Sequence, residues 1–255
     1  MKLTFAKYLF TIILAVIFVS CNSRKNIAYL QDVEASKNGS TQSFEPTIQP
    51  DDMLSIIVSA ETPEVTLPFN IPMIQGNYQV GNNQNGIKTY LVDTNGNIEF
   101  PVIGTVKLGG LTRTEANNKL VAAVSEYIIN PSINLRILNY KVSVLGEVVR
   151  PGTFNIESER LTLLEALSLA GDLTIYGKRT NILVIREAEG KRTYNRIDIT
   201  KSDFMSSEFY YMTQNDVIVV EPNQTRINSS AVGPNIQIIF SGISLLITIG
   251  LLIFK

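Results

Sequence analysis

One six-residue pattern occurs twice, fifty residues apart: LTRTEA from Leu111 to Ala116, and LTLLEA from Leu161 to Ala166. In each copy the threonine hydroxyl can accept from the amide three residues on, while the glutamate at that position reaches back to the threonine amide. This reciprocal arrangement opens an α-helix. Thr112 with Glu115, and Thr162 with Glu165, therefore read as a helix-capping repeat and not as catalytic acids. The first helix carries Leu120, Val121 and Val124 at helical spacing and stops at Ile129 to Pro131. The second carries Leu164, Leu167, Leu169 and Ala170 and stops at Gly171. Each follows a glycine-punctuated stretch of strand character, NGNIEFPVIGTVKLGG or VSVLGEVVRPGTFNI. The expectation is two small, related α+β units.

The two ends of the chain are apolar. Phe10 to Ser20 holds eleven uncharged residues after Lys2 and Lys7, the charged and apolar regions of an export signal. A spanning helix needs about 20 apolar residues, so this run is too short to be one. Val19, Ser20 and Cys21 resemble a lipobox, with Phe18 where leucine is usual. Residues 1–20 are thus expected to be a lipoprotein signal peptide, and Cys21 to be lipidated. A lone cysteine in an exported chain cannot close an internal disulfide, and lipidation accounts for it. Asn22 stands where an aspartate would resemble an inner-membrane retention signal, which favours the outer membrane. Residues 21–47 read as a polar lipidated tether in which IAYL docks.

At the other end Ile236 to Phe254 runs nineteen residues without a charge. As a helix it would reach about 28 Å, close to the hydrocarbon core of a bilayer, so residues 236–254 are expected to form a transmembrane helix. Gln237, Ser241, Ser244 and Thr248 follow one another at intervals of four, three and four, which places them on one helix face. Small and hydroxylated residues on such a face let helices approach one another. Residues 224–235 read as a linker.

Composition excludes several functions. Without Lys2 and Lys7 the 22 basic residues become 20, against 23 acidic ones, and no basic patch calls for nucleic acid. There is no histidine, so no imidazole serves acid–base or metal chemistry, and no cofactor is indicated. Asp51 and Asp52 are adjacent, so in a strand their carboxylates point apart and do not form a glycosidase pair. Leu54, Ile56 and Val58 alternate as a half-buried strand. Thr62 to Gly86 reads as a long excursion, and Asn95-Gly96 as the two-residue turn of a hairpin. Asp93, Asn95 and Asn97 suggest a calcium loop, but Ile98 and Gly104 stand where its glycine and glutamate belong, so the turn reading prevails.

Three stretches resemble the polysaccharide export domain of Wza-type outer-membrane export lipoproteins: IQPDDMLSIIV, GNIEFPVIGTVKLGGLTRTEANNKL and YIINPSINLRIL. VSVLGEVVRPGTFNIESERLTLLEALSLAGDL resembles the SLBB β-grasp module that follows it there, with YYMTQNDVIVVEPN as its closing strand. The resemblance implies an export domain over 48–137 and one SLBB β-grasp domain over 138–223. It also implies a non-enzymatic homo-oligomeric conduit for capsular or exopolysaccharide in the outer membrane. A ring of C-terminal helices would close that conduit, and an inner-membrane polysaccharide co-polymerase of the Wzc type would be its partner. The alternative is a periplasmic scaffold lipoprotein that binds a glycan or partner and forms no channel.

Overall fold

The computed structural model describes residues 27–33, 44–70, 89–188, 190–231 and 236–253. The expected signal peptide and Cys21 lie outside the described residues. Both folded units are α+β, each with its own buried cluster.

In the first unit β1 (Met53–Ser59) is the centre of a three-stranded antiparallel sheet, flanked by β2 (Tyr90–Leu91) and β5 (Ser132–Ile137). The alternation of β1 sets its register, with Leu54, Ile56 and Val58 facing Ile137, Leu135 and Ile133. Helix α1 (Arg113–Val124) lays Ala116, Leu120 and Val124 into the same core. Each fully buried aliphatic of leucine size contributes roughly 1.5–3 kcal/mol. A separate hairpin joins β3 (Asn97–Phe100) to β4 (Gly104–Lys107).

The hairpin expected around Asn95-Gly96 is corrected. The turn forms, with the Gly96 amide donating to the Asp93 carbonyl at 2.9 Å and the Asp93 amide to that of Asn97 at 2.8 Å. The strands beside it then part, because β2 pairs with β1 while β3 pairs with β4. Asp93 Oδ1 is filled by the Asn95 and Asn97 amides, at 2.8 and 2.7 Å. These bonds, that of Asn97 foremost, hold the Asp93 carboxyl below its ordinary range. Of the expected excursion, Pro63–Thr66 forms one 3-10 turn, and residues 71–88 lie outside the described set.

The second unit comprises β6 (Lys141–Gly146), β7 (Gly152–Asn155), α2 (Leu163–Leu169), β8 (Gly177–Ala188), β9 (Lys191–Ile197) and β10 (Val217–Pro222). Its sheet runs β7-β6-β10-β8-β9. The last strand lies parallel to the first at the centre, and every other pairing is antiparallel. Gly146 permits that closeness. Its φ is +92°, and a methyl group there would lie 2.1 Å from the Val220 carbonyl oxygen. The turn after α2 is closed by Gly171, φ +76°, whose amide reaches the Ser168 carbonyl while that of Asp172 reaches Leu167. Leu163, Ala166 and Leu167 are buried, whereas Leu169 faces outward.

Two expectations at the C-terminus change. The linker over 224–235 contains a helix, α3 (Gln224–Ala231), because the Asn223 side chain accepts from the Arg226 amide at 3.0 Å and caps it. The transmembrane helix over 236–254 is met as a helix, α4 (Ile236–Ile253). As a span it is not met: among the described residues no helix is long and apolar enough to cross a membrane. Phe254 and several α4 side chains lie outside that description.

Candidate functional site

The two units meet where residues 138–141 pass from one to the other. The Asn139 side chain accepts from the Met53 amide at 2.8 Å and donates to the Asp51 carbonyl at 2.9 Å, gripping the first unit. Gln214 grips the same stretch from the second, donating to the Asn139 carbonyl and accepting from the Lys141 amide, both at 2.7 Å. The Tyr140 hydroxyl donates to the Met212 carbonyl at 2.6 Å, and burial raises its pKa. Four residues of chain are thus fixed by two opposed amides and a phenol.

Asp52 lies beside this joint, fully buried, with Oδ2 accepting from the Gln49 amide at 2.8 Å and Oδ1 without a hydrogen-bond partner among the described residues. Burial pushes its carboxyl up to about 6. Asp51 is exposed in a left-handed conformation, φ +67°. The two acids therefore do not converge, and among the described residues no group of three or more His, Cys, Asp or Glu could hold a metal.

A second lock holds the loop before β10. Asp216, fully buried, takes the Arg186 guanidinium at 2.7 Å, and Thr213 donates to it through amide and hydroxyl at 2.8 and 2.9 Å. Arg186 also donates to the Tyr211 carbonyl at 2.8 Å and sits 4.7 Å from the centre of the Phe209 ring. Local periodicity carries no trace of this pair, whose partners are thirty residues apart. Only the Thr213-to-Asp216 spacing, which suits a side-chain turn, could have hinted at it.

The segment Ile27–Val33 lies on the second unit. The Leu30 and Gln31 amides donate to the Ile199 and Thr200 carbonyls, and the Ser202 amide donates to Asp32. The Tyr29 hydroxyl reaches Asp172 at 2.5 Å beneath the Arg179 guanidinium. Phe44 stacks on Tyr211 at 4.8 Å, and Ile48 then enters the first core, its amide on the Leu111 carbonyl. The polar stretch after Cys21 is therefore pinned at both ends of what is described.

Both capping boxes form. Thr112 accepts from the Glu115 amide at 3.2 Å while Glu115 accepts from the Thr112 amide at 2.8 Å; for Thr162 and Glu165 the distances are 3.2 and 2.7 Å. The caps stand in different units and do not form one site. On α4, Ser241, Ser244 and Thr248 are exposed, and Thr248 donates to the Ser244 carbonyl of its own helix at 2.9 Å. The side chain of Gln237 lies outside the described set, as does Cys21. Ile238, Phe240, Leu245 and Ile249 of α4 are also exposed.

Residues 40–138 match the polysaccharide biosynthesis/export protein family, and residues 140–220 match the SLBB domain. Over 179 residues, 68% of this chain, the sequence is 29% identical to the EPS I polysaccharide export outer membrane protein EpsA of Ralstonia solanacearum. Over 141 residues, 53% of this chain, it is 32% identical to the protein of the same name from Ralstonia nicotianae. The matches span 47% and 37% of the lengths of those relatives. The export-domain match and the SLBB match thus stand in that order on either side of the Asn139 joint, which supports the resemblance to the Wza-type polysaccharide export family.

Proposed function

We propose that the protein is an outer-membrane lipoprotein whose copies assemble into a conduit for capsular or extracellular polysaccharide. The order of the two domain matches carries the reading, together with relatives named for polysaccharide export. Export of a hydroxyl-rich polymer needs a hydrated passage and no covalent chemistry. The five-stranded sheet with its parallel central pair supports a β-grasp module over 138–223.

In this reading Cys21 carries the acyl chains, and the bulk of the protein lies in the periplasm. A single copy cannot enclose a passage, so several copies gather, with the α4 residues Gln237, Ser241, Ser244 and Thr248 toward neighbouring copies or a lumen. The exposed residues of α4 support partners outside the chain. Polymer and energy come from an inner-membrane co-polymerase of the Wzc type.

Deleting the gene should abolish extracellular polysaccharide, and Cys21→Ala should release the protein from the membrane fraction. Detergent-extracted wild type should sediment as a closed oligomer. A strictly monomeric species would assign it instead to the scaffold class.

A further inference from the structure

A cleft of about 580 Å³ opens between the two units beside the Asn139 joint. Its aromatic lining is Phe44, held flat against Tyr211 with 10° between the rings, and Tyr140, held by its bond to Met212. Among the described residues three arginines, Arg113, Arg136 and Arg160, share the cleft with three glutamates, Glu45, Glu157 and Glu159. Some of this capacity is already used. Arg113 lies between Glu45 and Glu159 at 3.6 and 3.5 Å, and Glu45 also accepts from the Thr114 hydroxyl. Among the described residues Arg136 and Glu157 enter no ion pair, and Arg113 Nε is buried without a hydrogen-bond partner.

We infer that this cleft binds a short stretch of neutral saccharide. Guanidinium forks supply only donors and carboxylates only acceptors, so together they can satisfy adjacent hydroxyls, each of which both donates and accepts. The C–H face of a pyranose ring fits the apolar face of a fixed aromatic, which loses little entropy on contact. Equal numbers of the two charges argue against a polyanion, which would call for a net positive lining. An apolar peptide would strip water from six charged groups and offer them nothing in return. The volume falls in the range of small-molecule sites, about 300–1,000 Å³, enough for part of a chain and not for a folded partner.

The inference rests on the export reading and names a place where its cargo touches the protein. Full-length protein in detergent would be titrated with malto-, cello- and galacto-hexaoses and with a hexauronate, by saturation-transfer NMR. At least one neutral hexaose should bind saturably, with an affinity unchanged when sodium chloride is raised to about 0.5 M, since no net charge is neutralised. The double variant Arg136→Ala, Glu157→Ala should lose about tenfold in affinity with an unchanged melting curve, and Phe44→Ala about fivefold, as one lost aromatic contact gives. Binding of the hexauronate alone, no saturable binding, or full affinity in the double variant would each overturn the assignment. So would disulfide trapping of Ser158→Cys between two copies, which would give the cleft to subunit packing. Polysaccharide export measured in the deletion strain tests the export reading separately from the binding result.

Discussion

In the export domain the hairpin β3–β4 stands apart from a three-stranded sheet, whereas in the SLBB domain the hairpin β6–β7 supplies two of five strands. Both hairpins lead into a helix opened by the same capping box. The second sheet is completed when β10 returns to the centre beside the first strand. In the first unit β5 also returns beside the first strand, but antiparallel and, among the described residues, at the sheet edge, and Met53, Ile57, Leu91 and Leu138 on or beside its sheet stay exposed. Identical signals for starting a helix therefore coexist with different degrees of closure. The helix start is decided within four residues, and sheet closure by strands far apart in the chain.

The largest expected effect sets the two units apart. Asp216→Ala leaves Arg186, whose side chain is 13% exposed, without its carboxylate, and removing the buried partner of such a pair costs up to about 3–5 kcal/mol. Calorimetry with hydrogen exchange should show the SLBB domain melting early while amides of β1 and β5 keep their protection. Loss of protection in both together would show that the Asn139 joint makes the two domains one cooperative unit.

The next effect is pH-dependent and belongs to the export domain. The Asp52 carboxyl is raised to about 6 in the folded state, so folding favours its protonated form. Its stabilising contribution is fully present below the unfolded value near 4, and is lost as pH rises through about 6, a change of up to roughly 3 kcal/mol. In urea titrations Asp52→Asn should gain on the wild type between about pH 4 and 6, with a constant difference above. A pH-independent difference would mean that the carboxyl is not held protonated.

Smaller again are the caps. Thr112→Ala and Thr162→Ala should each cost about 1 kcal/mol. The seven-residue α2 should fray more than the twelve-residue α1, as amide exchange at the two helix starts would read. Smallest is Arg192→Ala at the tip of the β8–β9 hairpin. Its pair with Glu187 is exposed on both sides, so the midpoint of a denaturant titration should not shift measurably.

Several features were legible in the sequence because they are short-range. The Thr-x-x-Glu spacing carries its own hydrogen bonds, the alternation of Leu54, Ile56 and Val58 names the buried face, and the uncharged run after Ile236 is helical. The helix after Asn223 could have been read from its cap, but serine and asparagine content masked it. Tertiary structure alone decided the partner of β2, the entry of β10 at the sheet centre, the burial of Asp52 and the union of Arg186 with Asp216. It also made the cleft, since Phe44, Arg136 and Glu157 come from three distant stretches. The physical reason is range. A cap or an alternation spends its free energy among neighbours in the chain, whereas a buried charge pair or a shared cleft exists only once loops of tens of residues have closed.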